Sequence, residues 1–266
     1  KGERLFVDFD RASDFELKVI NRVQVADRNV VVHGANQADA TTIGLGTRTH
    51  LVIDGVRYAW YSSQIDHVTV RGFSDRDSLK IYGSRESETL MSQAATTQVI
   101  GNGPTITAEG VEQIRMISGG GLDDVARFSG TRHNDRFDAT PYQATMKADR
   151  FTVTVAGFDR VYADGLGGSH DVARLFGSHS NDQLLATENS VRLFGDGFHV
   201  CVKNMEQVSV DARAGADDVA RFFGTSSADQ FIGRVGDARL SFDSMTQIAS
   251  GFDRVYVVGL DGPGDH

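Results

Sequence analysis

Apolar and polar positions alternate along most of the chain in short runs, such as Phe151-Thr152-Val153-Thr154-Val155 and Val208-Ser209-Val210. Clusters of Gly, Asp and Asn break these runs. Alternation of this kind marks half-buried β-strands and argues against helices. The pattern also has a long period. Asp124-Val125-Ala126-Arg127-Phe128 returns 47 residues later as Asp171-Val172-Ala173-Arg174-Leu175, and again as Asp218-Val219-Ala220-Arg221-Phe222. Each copy runs into Gly-Thr or Gly-Ser and then reaches Asp135, Asp182 or Asp229. A second phrase follows, as Gly157-Phe158-Asp159-Arg160-Val161-Tyr162 and Gly251-Phe252-Asp253-Arg254-Val255-Tyr256. Weaker copies reach back through Asp77-Ser78-Leu79-Lys80-Ile81-Tyr82 to Ile20-Asn21-Arg22-Val23.

About five such periods cover residues 20–266, which predicts one repeat domain over 1–266 with residues 1–19 as an N-terminal cap. Each period reads as about six short strands, two coils of three. The expected fold is an all-β, right-handed parallel β-helix (solenoid) of about ten coils, roughly 45–50 Å long at the spacing of stacked strands. A five-bladed propeller is the rival, but the tips lack the two-residue hairpin signals that antiparallel blades favour.

These phrases resemble the β-solenoid repeats of large exported bacterial surface proteins, planctomycete ones among them, which are grouped loosely with haemolysin-type (RTX) repeats. The resemblance implies a bacterial, extracellular or cell-surface setting and a structural role. It departs from RTX repeats in lacking the tandem calcium-binding nonapeptide. Gly119-Gly120-Gly121-Leu122-Asp123-Asp124 and Gly167-Gly168-Ser169-His170-Asp171 recur only once per period. Calcium, if bound, would draw on Asp123-Asp124, Asp217-Asp218 and Asp261 with Asp265. No other cofactor and no defined metal site is expected.

Composition narrows the function classes. The 29 glycines point to tight turns, and a single cysteine, Cys201, rules out an internal disulfide framework. Cys201 alternates with Val200 and Val202 and reads as a buried, inert thiol. No apolar run reaches the roughly 18 residues of a membrane helix. The net charge of −9 disfavours nucleic acid as a partner. The eight histidines form no metal-binding pair and no nucleophile elbow occurs, so an enzyme is not the expected reading. A polysaccharide lyase or glycosidase would have to use the irregular stretch 85–110, with Arg85, Glu86, Glu88 and Glu109.

Alternation places Ala126 and Phe128 inward and Arg127 outward, which predicts columns on one outer surface. A basic column runs Lys80, Arg127, Arg174, Arg221, beside His33, Tyr82, Ser129, Phe176, Phe223. A third runs Gln24, Thr69, Arg115, Tyr162, Ser209, Tyr256, and an acidic one Asp66, Glu112, Asp159, Glu206, Asp253. Tyr82, Arg127, Arg174, Phe176, Arg221 and Phe223 are the candidate residues for binding a polysaccharide, with rings against sugar faces and guanidinium forks on acidic groups. The acidic column is expected to accept backbone N–H groups at bends and to pair with Arg22, Arg160 and Arg254. The chain opens at Lys1 rather than Met and ends where another Val-Ala-Arg strand is due. It is therefore expected to be a processed piece that meets further repeats, or another copy of itself, at an open C-terminal end. The leading expectation is a structural or assembly module that stacks end to end.

Overall fold

The computed structural model describes residues 22–35, 37–73, 76–215, 217–226 and 228–259. The expected cap at 1–19, and Asp261 and Asp265, lie outside them. The chain enters through β1 (Val23–Ala26), β2 (Asn29–His33), β3 (Ala40–Gly44), β4 (Arg48–Ile53), β5 (Val56–Tyr61) and β6 (His67–Arg71). It continues with β7 (Ser78–Tyr82), β8 (Thr89–Gln93), β9 (Thr96–Ile100), β10 (Thr105–Glu109) and β11 (Gln113–Ile117). The clearest copies of the repeat follow. The first is β12 (Val125–Ser129), β13 (Arg136–Thr140), β14 (Gln143–Ala148), β15 (Phe151–Ala156) and β16 (Arg160–Asp164). The next is β17 (Val172–Phe176), β18 (Gln183–Thr187), β19 (Ser190–Gly195), β20 (Phe198–Lys203) and β21 (Gln207–Asp211). The last is β22 (Val219–Phe223), β23 (Asp229–Arg234), β24 (Asp237–Phe242), β25 (Met245–Ser250) and β26 (Arg254–Val258).

The protein is all-β and forms a solenoid of two facing sheets. Sheet A has the order β1-β2-β6-β10-β9-β8-β12-β16-β20-β19-β18-β22-β26, and sheet B the order β23-β24-β25-β21-β17-β13-β14-β15-β11-β7-β3-β4-β5. Thirteen strands per sheet give a length of roughly 55–60 Å at 4.7–4.9 Å per strand, longer than expected. Beyond β1, the chain divides into five units of five strands. Each unit lays one strand in one sheet, three in the other, and one back in the first. A unit therefore makes one and a half turns, not two coils, and the next unit begins in the opposite sheet.

The three-strand runs are antiparallel meanders inside an otherwise parallel stack, as in β13·β14·β15 and β18·β19·β20. Two-residue turns make most of these connections, against the expectation from the tips; β3–β4 and β9–β10 use longer ones. Asp54-Gly55 and Asp196-Gly197 carry the Asp-Gly hairpin signature, while Ala94, Asp149 and Asp243 take the left-handed conformation without glycine, at φ 47°, 50° and 47°.

Inward positions of both sheets share one apolar core along the axis. Ala126, Phe128, Phe137, Leu175, Leu184 and Phe222 are all fully buried in it. The expected inward and outward phases of the Val-Ala-Arg-Phe strand hold, with Arg127 exposed between Ala126 and Phe128.

Candidate functional site

The half-integral winding decides where the six candidate residues go. Tyr82, Arg174 and Phe176 lie in β7 and β17 of sheet B, whereas Arg127, Arg221 and Phe223 lie in β12 and β22 of sheet A. They do not form one strip, because residues one unit apart face opposite sides. Neighbours within a sheet come from adjacent strands instead. Arg127 is in register with Tyr162 and its guanidinium lies 4.7 Å over that ring, and Arg221 is likewise 5.6 Å from the Tyr256 ring. Lys80 covers Tyr82 at 4.7 Å and Arg213 covers Phe176 at 4.8 Å. One face of each of these rings already holds a cation.

Cys201 is buried, but it occupies the outward phase of β20, in register between Tyr162 and Arg192. Its neighbour His199 lies between the Tyr162 and Phe194 rings, with centroids at 5.7 and 6.3 Å. Burial, aided by the Arg192 and Arg160 charges, holds that imidazole below its usual range.

The corners between the sheets are built from carboxylates. The residue after a corner glycine donates its backbone N–H to an acid four positions on. Phe73 does so to Asp77 (3.0 Å), Ser84 to Glu88 (2.7 Å), Thr131 to Asp135 (2.5 Å), Ser178 to Asp182 (2.6 Å) and Thr225 to Asp229 (2.7 Å). Along each edge, corner acids then donate their own N–H to the acid of the next corner. Asp135 donates to Asp171 (2.7 Å), Asp182 to Asp218 (2.7 Å) and Glu88 to Asp124 (2.7 Å). The expected acidic column supplies the last acceptor of each run: Glu112 for Asp77, Asp159 for Asp124, Glu206 for Asp171 and Asp253 for Asp218. Its arginine partners differ from expectation. Arg160 pairs with Asp123, Arg254 with Asp217, and Arg22 with Asp39 and Asp54.

Glycine is required where these carboxylates press on the backbone, for a methyl on Gly83 would lie 2.6 Å from Glu88 Oε2 and one on Gly130 would collide with Asp135. Burial pushes the carboxyl groups of Glu88, Asp171 and Asp182 up from their usual range. Of the acids named for calcium, Asp124 and Asp218 are engaged by N–H groups and Asp123 and Asp217 by arginines. Among the described residues, no group of three or more His, Cys, Asp or Glu is placed to hold a metal ion.

The stretch 85–110 is not irregular, since it folds as the β8–β10 meander. It sets Glu109 apart from Arg85, Glu86 and Glu88. Glu88 is buried in one corner, and Glu109 pairs with Arg71 beside the opposite edge (3.0 Å). Arg85 and Glu86 line an open cleft of ≈ 850 Å³ with Arg28, Asp66, Ser62 and Asn102.

The two ends of the solenoid differ from its middle. Val161, Val208 and Val255 hold the same inward position in three successive units, with exposures of 5%, 2% and 39%. Phe231 is likewise only partly buried where its counterparts Phe137 and Leu184 are fully so. The last strands β26 and β23 therefore leave apolar surface open, with Ile232, Tyr256 and Val258 beside it. No family model, curated protein or solved structure matches the chain.

At the other end β5 is the outermost strand of sheet B. It turns Tyr58 and Trp60, stacked at 6.0 Å, toward the core. Sequence reasoning missed this aromatic pair, although the run Val56-Arg57-Tyr58-Ala59-Trp60 alternates as clearly as any other.

Proposed function

We propose that this chain is a non-catalytic structural module of an exported bacterial surface or matrix protein, and that copies of it stack end to end. The repeat's resemblance to exported surface proteins supports the setting. The observation that carries the stacking is the complementarity of the two free edges. In every later unit, the last strand of the meander pairs in parallel with the last strand of the unit before it, as β10 with β6, β15 with β11, β20 with β16 and β25 with β21. In the first unit that last meander strand is β5, and its outer edge is free among the described residues. In the final unit the last strand is β26, also with a free edge.

A second copy, turned half a turn about the axis, would lay its β5 on β26 as β20 lies on β16, with its β1 displaced from the β2 edge that β23 would take as β18 takes β22. By the register of that internal pair, Val255 would meet Tyr58 and Val257 would meet Trp60. Neither edge strand contains the proline that blunts many exposed edges. The experiment is light scattering across a concentration series, read together with the fluorescence of Trp60, the one tryptophan of the chain. Mass should grow with concentration while Trp60 emission shifts to the blue, and Val257→Lys should hold the protein monomeric with unshifted emission. A wild-type mass that stays monomeric at every concentration would overturn the proposal.

A further inference from the structure

The net charge of −9 hides a division of charge within the fold. In the described strands, acids stand at strand ends, as Glu109, Asp164, Asp211, Asp229 and Asp237 do, and Asp138 is the exception. Basic residues stand at strand ends too, as Arg48, Arg136 and Arg254 do, but they also occupy strand middles, as Lys80, Arg115, Arg127, Arg174 and Arg221 do. Seven adjoining strands of sheet B, in the order β14-β15-β11-β7-β3-β4-β5, contain no acid. An open groove of ≈ 590 Å³ runs over five of them. Lys80, Arg115 and Lys147 line it, with Thr42, Gln113 and Thr154 beside them.

The register fixes their arrangement. Lys80 lies directly beside Arg115, and Thr42 and Thr154 flank that pair in the same row. Lys147 stands two strands beyond Arg115, roughly 10 Å across the sheet at the usual strand spacing. None of the three cations has an ion-pair partner among the described residues. Three like charges on one face repel one another, and an anion seated among them removes that repulsion.

We propose that this groove binds an acidic polysaccharide, with Lys80, Arg115 and Lys147 holding its uronate or sulfate groups and Thr42, Gln113 and Thr154 its hydroxyls. The spacing favours this polymer over nucleic acid. Duplex DNA carries a charge about every 1.7 Å along its axis, far denser than cations two strands apart. Hydroxyl and amide groups suit sugars.

The proposal is independent of end-to-end stacking. It is tested by titrating the full chain with fluorescein-labelled dextran sulfate and polygalacturonate, beside neutral dextran and a single-stranded oligodeoxynucleotide. One or both acidic polysaccharides should bind more tightly than neutral dextran and the oligonucleotide, and the member that binds identifies the anionic group. The double variant Arg115→Gln/Lys147→Gln should weaken that binding about tenfold or more, as expected for lost charged hydrogen bonds. Its thermal unfolding should stay unchanged. Arg127→Gln/Arg221→Gln on sheet A should change binding by less than about twofold. If the double variant does not fold, Lys80→Gln alone should weaken binding measurably. Equal losses from both sheets, no preference over neutral dextran, or tighter binding of the oligonucleotide would overturn the proposal.

Discussion

A carboxylate has no proton to give at neutral pH, so a buried one must face donors on every side. The corners meet that demand within one turn of chain. Asp182 accepts the Ser178 N–H at 2.6 Å and the Ser178 hydroxyl at 2.9 Å, and its own N–H is taken by Asp218. Asp182→Ala should therefore cost about 1–3 kcal/mol by leaving buried donors unpaired. Asp138→Ala removes only a partly exposed pair with Arg136 and should cost less than about 1 kcal/mol. Denaturant titration of the two variants checks the difference, and equal losses would mean the corners bear no special load. The local half of this design was legible, because Gly130 to Asp135 and Gly177 to Asp182 share one spacing. The other half was not. The acid that accepts the Asp182 N–H lies 36 residues away, at a distance set only by how the chain winds.

At the scale of strands, the sequence announces most of what forms. The segments Val172–Phe176, Gln183–Ala186, Val191–Phe194, His199–Lys203 and Gln207–Val210 can be read from alternation, and each falls within a strand of one unit. A sixth strand does not exist, and its absence turns two coils into one and a half. Alternation tells inward from outward within a strand but carries no record of which sheet the strand has joined. That is why Arg127 and Arg174 were placed on one face and stand on two. The hairpins were missed for a related reason, since several of their turns lack glycine. Ala94 holds φ 47° at the β8–β9 turn, where an L-residue pays roughly 1 kcal/mol. Ala94→Gly should raise stability by about 0.5–1 kcal/mol, whereas Gly55→Ala, at φ 83°, should lower it. Thermal melts of the pair decide the point, and a destabilised Ala94→Gly would argue against this turn geometry.

For the whole molecule, stacked corners make stability depend on pH in an uncommon direction. Burial raises the folded-state values of Glu88, Asp171 and Asp182. The stability such groups contribute is complete below their unfolded range near 4 and is lost as pH rises through the folded values. Asp66, lowered by Arg28, works the opposite way, but it is exposed and weighs little; buried His199, lowered in the fold, also loses stability as pH falls below its unfolded range near 6.5, one group set against the three carboxyls and against self-repulsion. The unfolding temperature should thus be higher at pH 5 than at pH 7.5, and lower self-repulsion near the isoelectric point acts in the same sense. A melting temperature that falls steadily on acidification would contradict this. The one-and-a-half-turn unit has a last consequence, which concerns parity. The five described units are an odd number, so the last described strand lies in the same sheet as the first, and each copy added to a stack is related to its neighbour by a twofold screw. The basic grooves would then alternate sides along the fibre, giving a filament that is alike on both flanks. Deleting a single unit would make the count even, replace the screw by simple translation, and convert the filament into a one-sided ribbon with every groove aligned.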